Sequence, residues 1–118
     1  MHKILVIDDD PNMRRLIELY LNKENFVVDA VGSARSSVEK IRQGLYHLVI
    51  TDLQMPDMDG LEFIRRIRAF NEKIPIVVTS AYSRGKIVNQ ALEAGASNVL
   101  EKPFDQQQLL KTLNEYLK

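Results

Sequence analysis

The stretch HLVITDLQMPDMDG, residues 47–60, places a short apolar run directly before a turn that holds three carboxylates. Similar runs occur elsewhere: KILVI at 3–7, FVVDAV at 26–31, IPIVVT at 74–79 and SNVLE at 97–101. The five strand segments, of which HLVIT is residues 47–51, are rich in Val and Ile, and three are nearly continuous rather than alternating. Such runs are typical of strands covered on both faces, as in a parallel sheet.

Amphipathic segments separate the five runs. Their apolar residues recur at intervals of three and four, so each segment carries one apolar stripe, as a surface helix does. The stripes are Met13, Leu16, Ile17, Tyr20 and Leu21; Ala34, Val38, Ile41 and Leu45; Phe63, Ile64 and Ile67; Ile87, Val88, Ala91 and Leu92; and Leu109, Leu110, Leu113 and Leu117. We therefore predict five helices between and after the strands.

Residues that begin and end helices support this division. Asp10 precedes a proline, Ser33 precedes the second stripe and Asp105 precedes the last, and all three are good N-caps. Gly44 and Gly95 lie where the second and fourth helices should end. Alternating strands and helices predict an α/β fold, a doubly wound three-layer sandwich with right-handed crossovers. We expect a flavodoxin-like strand order of 2-1-3-4-5, with the second strand at an edge.

The composition indicates one globular domain that spans residues 1–118. Sixteen basic and sixteen acidic residues balance, so nothing global favours nucleic acid or a membrane surface. The chain has no cysteine, and His2 and His47 match no zinc spacing. No segment approaches the roughly 18 apolar residues of a membrane span, and no signal peptide is visible. We expect a soluble, cytoplasmic protein.

Polar residues follow four of the predicted strands. Asp8 to Asp10 follow the first, Asp52 the third, Ser80 the fourth and Lys102 the fifth. In the expected order these strands are neighbours, and ligands of such sheets bind at the carboxyl ends. Two carboxylates about 4 Å apart repel by roughly 4 kcal/mol at an effective dielectric of about 20. A hard divalent cation such as Mg²⁺ would relieve that repulsion.

The same residues suggest a reaction. A cation, an ammonium group and a hydroxyl around one carboxylate suit phosphoryl transfer, which depends on positioning and charge neutralisation. A carboxylate can itself be the nucleophile and form an aspartyl phosphate. Taken singly, Asp52 could equally be a turn residue after a strand.

Four segments resemble the receiver domain of two-component response regulators: ILVIDDD at 4–10, TDLQMPDMDG at 51–60, VVTSAY at 77–82 and GASNVLEKPF at 95–104. The resemblance extends from Lys3 to Leu117 and includes the family's spacing from acceptor to hydroxyl to lysine. It implies a chemotaxis-regulator-like domain that takes a phosphoryl group from a sensor histidine kinase, a phosphotransfer protein or a small acyl phosphate.

The resemblance also implies residue roles. Asp52 corresponds to the phosphoryl acceptor. Asp9 corresponds to the direct Mg²⁺ ligand, which Asp8 assists partly through water, and the Gln54 backbone carbonyl corresponds to a further ligand. The domain would promote its own phosphorylation and hydrolysis and would turn over no metabolite beyond the donor.

The signalling residues follow by the same resemblance. Ser80 corresponds to the hydroxyl that binds the new phosphoryl group, Lys102 to the lysine that pairs with it, and Pro103 to a proline that commonly follows a cis peptide bond. The output implied is a changed surface on the fourth helix, fifth strand and fifth helix. Through this surface a downstream effector would bind, and a homodimer could form.

Four positions bear on how the switch works and how long it lasts. Val99 stands where most members carry Tyr or Phe, so the usual aromatic movement cannot operate. Ser80 replaces the commoner Thr, which predicts a looser switch. Tyr82 and Gln54 occupy positions that in the family tune dephosphorylation, and a bulky Tyr82 would lengthen the life of the phosphoryl group.

Plainer interpretations remain for several residues. Asp57 and Asp59 are expected to be solvated turn residues. The basic residues of the first and third helices, Arg14, Arg15, Arg65, Arg66 and Arg68, are expected on solvated faces, although the first helix could dock a kinase. The chief rival function is a receiver-like docking module that phosphorylation does not switch, and Val99 is the feature that favours it. A haloacid-dehalogenase-type phosphatase would need a Thr in the first acidic motif and a longer chain.

Overall fold

The computed structural model describes residues 1–81 and 85–117. Its strands are β1 (Lys3–Ile7), β2 (Val27–Val31), β3 (Leu48–Asp52), β4 (Ile76–Ser80) and β5 (Asn98–Glu101). Its helices are α1 (Pro11–Asn22), α2 (Ala34–Arg42), α3 (Gly60–Phe70), α4 (Lys86–Ala94) and α5 (Gln106–Asn114). The strands form one parallel sheet in the order β2-β1-β3-β4-β5, which confirms the predicted fold. Among the described residues, no helix combines the length and the apolar character that crossing a membrane requires.

Alternation along the strands divides the core into two layers. In β1, Leu5 and Ile7 face a cluster completed by α2, α3 and α4, which includes the fully buried Phe63. Ile4 and Val6 face the opposite cluster, which α1 and α5 complete. Since both faces of the sheet are covered, its central strands are apolar at nearly every position, as the sequence indicated.

The helix ends are set by local hydrogen bonds. The carboxylate of Asp10 accepts from the backbone N–H of Asn12, and the hydroxyl of Ser33 accepts from that of Ser36. Asp105 forms a capping box with Gln108 at the start of α5. These three predicted N-caps are therefore confirmed.

Strand boundaries differ from the expected ones by one or two residues. The third strand continues through Asp52, because Asp52 pairs with Thr79 of β4. The fourth begins at Ile76 rather than residue 74, since Pro75 has no N–H to donate to a ladder. It also ends one residue later, at Ser80, which pairs with Glu101. These shifts place two of the predicted functional residues on the sheet itself.

Candidate functional site

The strand register brings the predicted site residues to one edge of the sheet. Ile7 lies opposite Thr51, and the next residue, Asp52, lies opposite Thr79. Ser80 in turn lies opposite Glu101, one residue before Lys102. The carboxyl ends of β1, β3, β4 and β5 are thus level. The residues at and after these ends lie along one edge of the sheet.

Three carboxylates form the acidic part of the site. Asp8, Asp9 and Asp52 each offer one oxygen, and these oxygens lie within 4.8 Å of one another. Asp8 is buried, with 1% of its surface exposed, whereas Asp9 is exposed. Burial raises the pKa of the Asp8 carboxyl, and Asp52 adds to the rise, while the Asp10 N–H and Lys102 oppose it. The cluster therefore concentrates negative charge that favours a cation.

Lys102 supplies the positive charge beside these acids. Its Nζ lies 3.2 Å from Asp8 Oδ2 and 3.3 Å from Asp52 Oδ2. Burial alone would lower the pKa of Lys102, but the carboxylates of Asp52 and Asp8 outweigh it and raise that pKa. The Lys102 N–H donates to the Ser80 carbonyl at 2.7 Å, and the peptide bond to Pro103 is cis. These contacts fix the lysine above the ends of β1 and β3.

The loop after β3 is held by its own contacts. The Gln54 N–H donates to Asp52 Oδ1 at 3.3 Å, and Gln54 forms an isolated antiparallel bridge with Asp59. Asp59 caps α3 by accepting from Leu61 N–H at 2.9 Å. A Cβ at Gly60 would lie 2.7 Å from the Cα of Leu53, so only glycine allows α3 to begin this close to the loop.

Asp57 is not the solvated turn residue that the sequence suggested. It is half-buried, and its Oδ2 accepts from the Ser33 hydroxyl at 2.6 Å and from the Arg35 N–H at 3.0 Å. The hydrogen bond from Ser33 lowers the pKa of Asp57, and the Arg35 N–H adds to this effect against the opposing influence of burial. The loop that follows Asp52 is therefore attached to the N-terminus of α2.

Two arginines also differ from the expected solvated faces. Arg14 Nη1 donates to the Asp8 carbonyl at 2.7 Å. Arg68 Nε donates to the Gly95 carbonyl at 2.9 Å, and its Nη1 donates to the Asn71 carbonyl at 3.1 Å. The contacts with Asp8 and Gly95 join elements that the helical period alone does not relate. The apolar stripe of a helix does not indicate whether an arginine beside it points toward a neighbouring element. Sequence reasoning missed them for that reason.

The residues expected to carry the switch occupy different environments. Ser80 is buried at the end of β4, with 5% of its surface exposed. Val99 is half-buried in β5 beside Val78 and packs against the cluster that contains Phe63. Tyr82 lies outside the described residues.

A cavity of about 390 Å³ opens beside the Asp52 carboxylate. The residues that line it include the polar Asp52, Ser80 and Lys102 and the apolar Leu61 and Ile87. The cavity can therefore admit a small polar ligand next to Asp52.

The donor set fits a hard divalent cation. Carboxylate and backbone carbonyl oxygens are the ligands that Mg²⁺ prefers, and the three acids offer no soft ligand. Asp8 is buried beside another carboxylate, a position that a cation stabilises. The residues suited to hold Mg²⁺ are thus Asp8, Asp9 and Asp52, with the Gln54 carbonyl nearby in sequence.

Comparison with known proteins identifies the family. The response regulator receiver domain model matches residues 4–114. The response regulator ArlR of Staphylococcus saprophyticus is 36% identical over 118 residues, which is 100% of this chain and 53% of ArlR. The chain thus spans about half the length of that curated relative.

Solved structures agree with the sequence comparison. The chemotaxis response regulator CheY4 of Vibrio cholerae superimposes with a TM-score of 0.92 at 28% identity, covering 99% of both chains. The response regulator TrrA of Thermotoga maritima, in complex with Mg²⁺-BeF, gives a TM-score of 0.89 at 31% identity over 99% of this chain and 100% of that one. This chain therefore belongs to the receiver domain family of two-component response regulators.

Proposed function

We propose that this receiver domain accepts a phosphoryl group on Asp52 in a Mg²⁺-dependent reaction. The observation that carries the proposal is the position of the Asp52 carboxylate, which lies 3.3 Å from the Lys102 ammonium and within 4.8 Å of oxygens of Asp8 and Asp9. Ser80 and the cavity complete the surroundings of that carboxylate. This arrangement provides a nucleophile and two sources of charge neutralisation, which is what phosphoryl transfer requires.

The reaction can be described from the chain's own residues. An oxygen of Asp52 attacks phosphorus, the bond from phosphorus to the donor's nitrogen or oxygen breaks, and the leaving atom keeps the electron pair. Lys102 neutralises charge on the transferred group, and the Ser80 hydroxyl donates to one of its oxygens. Bound Mg²⁺, held by Asp8, Asp9, Asp52 and the Gln54 carbonyl, would neutralise phosphoryl charge at the same place. Water access governed by Gln54 and Tyr82 would set the rate of hydrolysis.

The donors proposed are a sensor histidine kinase, a phosphotransfer protein or a small acyl phosphate. The phosphoryl group adds charge and acceptor oxygens at the ends of β3 and β4. Contacts to Ser80 and Lys102 then favour a second arrangement of α4, β5 and α5, whose surface binds a downstream effector or a second copy of the chain. Since Val99 cannot act as the family's aromatic residue does, either another residue transmits the signal or the partner reads the loop after β4 directly.

Intact mass spectrometry tests the proposal. The protein is incubated with acetyl phosphate, with and without Mg²⁺, beside Asp52→Asn and the control Asp59→Asn, which changes a second acid of the same loop. We expect one added phosphoryl group in the wild type and in the control, only with Mg²⁺, and none in Asp52→Asn. A folded wild-type protein that gains no mass from acetyl phosphate or from a kinase would instead favour the docking module.

A further inference from the structure

Asp57 joins two parts of the molecule that are distant in sequence. Its Oδ2 accepts from the Ser33 hydroxyl at 2.6 Å and from the Arg35 N–H at 3.0 Å. Arg35 Nη2 also donates to the Asp57 backbone carbonyl at 2.9 Å. Three hydrogen bonds, two of them to the carboxylate, thus connect this loop residue to the first turn of α2.

The charge of Asp57 suits this position. The first turn of α2 contains no acidic residue of its own. An anion is favoured at a helix N-terminus, where backbone N–H groups point outward, and Asp57 provides one from another element. Its second oxygen, Oδ1, is buried and has no hydrogen-bond partner among the described residues. Burying that oxygen costs free energy, which the contacts to Oδ2 must outweigh.

The loop after β3 connects Asp57 to the acidic site. Asp57 lies between Gln54 and Asp59, which form the bridge that closes the loop. Gln54 in turn donates its N–H to Asp52. The backbone of Gln54, whose carbonyl is the proposed Mg²⁺ ligand, is therefore held from one side by Asp52 and from the other by the segment that Asp57 fixes.

The acids of β1 depend on the same part of the fold. The Asp8 N–H donates to the Val31 carbonyl at 3.1 Å. Arg14, which donates to the Asp8 carbonyl, lies against Gly32, where an added Cβ would come 2.9 Å from Arg14 Nη1. The junction between β2 and α2, residues 31–35, thus contacts both the acid segment after β1 and the loop after β3.

From these contacts we infer that Asp57 is a positioning residue for the metal site. Its carboxylate attaches the loop 52–60 to the N-terminus of α2 and thereby fixes Gln54 relative to Asp52 and Asp8. This role rests on the proposed function, because it presupposes that the acids bind Mg²⁺. Asp57 itself does not contact the metal.

Isothermal titration calorimetry with Mg²⁺ alone measures how strongly the substitution of Asp57 weakens Mg²⁺ binding. We expect Asp57→Ala to bind Mg²⁺ about tenfold more weakly than the wild type, as is typical when a residue that orients metal ligands is removed. Ser33→Ala should weaken binding in the same direction. Both substitutions remove the same hydrogen bond, the one between Ser33 and Asp57. The double variant should therefore bind Mg²⁺ no more weakly than Asp57→Ala alone. At low Mg²⁺, acetyl phosphate should phosphorylate Asp57→Ala more slowly than it phosphorylates the wild type. At saturating Mg²⁺ the rate of Asp57→Ala should recover.

The matched control is Asp29→Asn. Asp29 Oδ2 accepts from the Tyr46 hydroxyl at 2.6 Å, the same kind of bond at the same length, but in β2 away from the acids. This variant should lose stability without losing Mg²⁺ affinity. Equal Mg²⁺ affinity in Asp57→Ala and wild type, or equal weakening in Asp29→Asn, would overturn the inference. A wild-type protein that binds no Mg²⁺ would remove the metal from the proposed function as well, and the wild-type titration alone distinguishes that outcome.

Discussion

At the scale of single residues, Asp8 and Lys102 determine the electrostatic balance of the site. Asp8 is almost completely buried, and burial raises the pKa of its carboxyl more than the Asp10 N–H and Lys102 lower it. Lys102 reduces that cost, since its Nζ lies 3.2 Å from Asp8 and 3.3 Å from Asp52. Lys102 is half-buried, so solvent screens these pairs less than pairs on the surface.

Replacing Lys102 by methionine tests this balance. Without the ammonium, Asp8 and Asp52 repel each other with less compensation, and we expect a loss of about 2 kcal/mol in the free energy of unfolding. Mg²⁺ should restore part of the loss, because a cation can replace the missing charge, whereas phosphorylation should remain impaired. Urea denaturation with and without Mg²⁺ measures both effects. Unchanged stability without Mg²⁺ would show that the pairs contribute nothing.

Asp57 gives a pH dependence with a definite sign. Its folded-state pKa is lowered from 3.8, mainly by the Ser33 hydrogen bond, so the folded protein favours the ionised form. The resulting stability is present above pH 3.8 and is lost as the pH falls through the lower folded-state pKa. At pH 6 we expect the free energy of unfolding of the wild type to exceed that of Asp57→Asn by about 1–2 kcal/mol, because the wild-type hydrogen bonds are charge-assisted. The difference should shrink below pH 3.8 in urea titrations, and a constant difference would contradict this origin.

At the scale of elements, α3 holds the end of α4 through one arginine. Arg68 donates to the carbonyls of Gly95 and Asn71, the C-caps of α4 and α3. A Cβ at Gly95 would lie 2.6 Å from Arg68 Cγ, so the close approach depends on glycine. Since a cation at a helix C-terminus is also favourable, Arg68 stabilises the end of the helix proposed to carry the output.

Arg68→Met should release that end. We expect a loss of about 1–3 kcal/mol in the free energy of unfolding, because two carbonyls lose a partly buried donor. Amide hydrogen exchange should accelerate in the last turn of α4 more than in α1. Arg65→Met, a substitution on the exposed face of the same helix, is the control and should change neither quantity. Equal exchange in the two variants would contradict the role of Arg68.

The edge strand β2 is joined to the segment before β3 through a partly buried hydrogen bond, which the Tyr46 hydroxyl donates to Asp29. Burial raises the pKa of Tyr46 to about 12, and the hydrogen bond to Asp29 adds to the rise. The stability from the neutral phenol is therefore complete below pH 10 and is lost as the pH rises toward 12. The phenolate absorbance difference between wild type and Tyr46→Phe should titrate near pH 12. In Asp29→Asn the midpoint of the Tyr46 titration should move toward pH 10. An unchanged midpoint would exclude Asp29 as a cause of the raised pKa.

The elements were predictable where they depend on local patterns. Asp10, Ser33 and Asp105 cap the helices that their sequence positions indicate, and the Val- and Ile-rich runs form the parallel sheet. Asp52, Ser80 and Lys102 meet because neighbouring parallel strands end at one edge. The hydrogen bonds of Ser33 with Asp57 and of Arg68 with Gly95 could not be predicted, since these partners are 24 and 27 residues apart and do not lie at the ends of neighbouring strands. No periodicity relates positions that far apart.

At the scale of the whole molecule, the sheet is a platform packed on both faces, and the acids sit at its rim. The two core clusters contain most of the buried apolar side chains, so they hold the strand ends in register. Folding also brings three negative charges together at the rim of the sheet, those of Asp8, Asp9 and Asp52. A ligand that binds only this assembled rim must stabilise the entire fold.

Mg²⁺ should therefore raise the melting temperature. For a ligand bound only by the folded state, a concentration 100 times the Kd adds about 2.7 kcal/mol to the free energy of unfolding. Asp9→Ala should abolish the increase, because it removes an exposed oxygen of the cluster, whereas Asp29→Asn should retain it from a lower starting temperature. Thermal melts followed by circular dichroism across a Mg²⁺ series measure the shift. If Asp9→Ala were stabilised by Mg²⁺ as much as the wild type, the ion would be binding elsewhere on the protein.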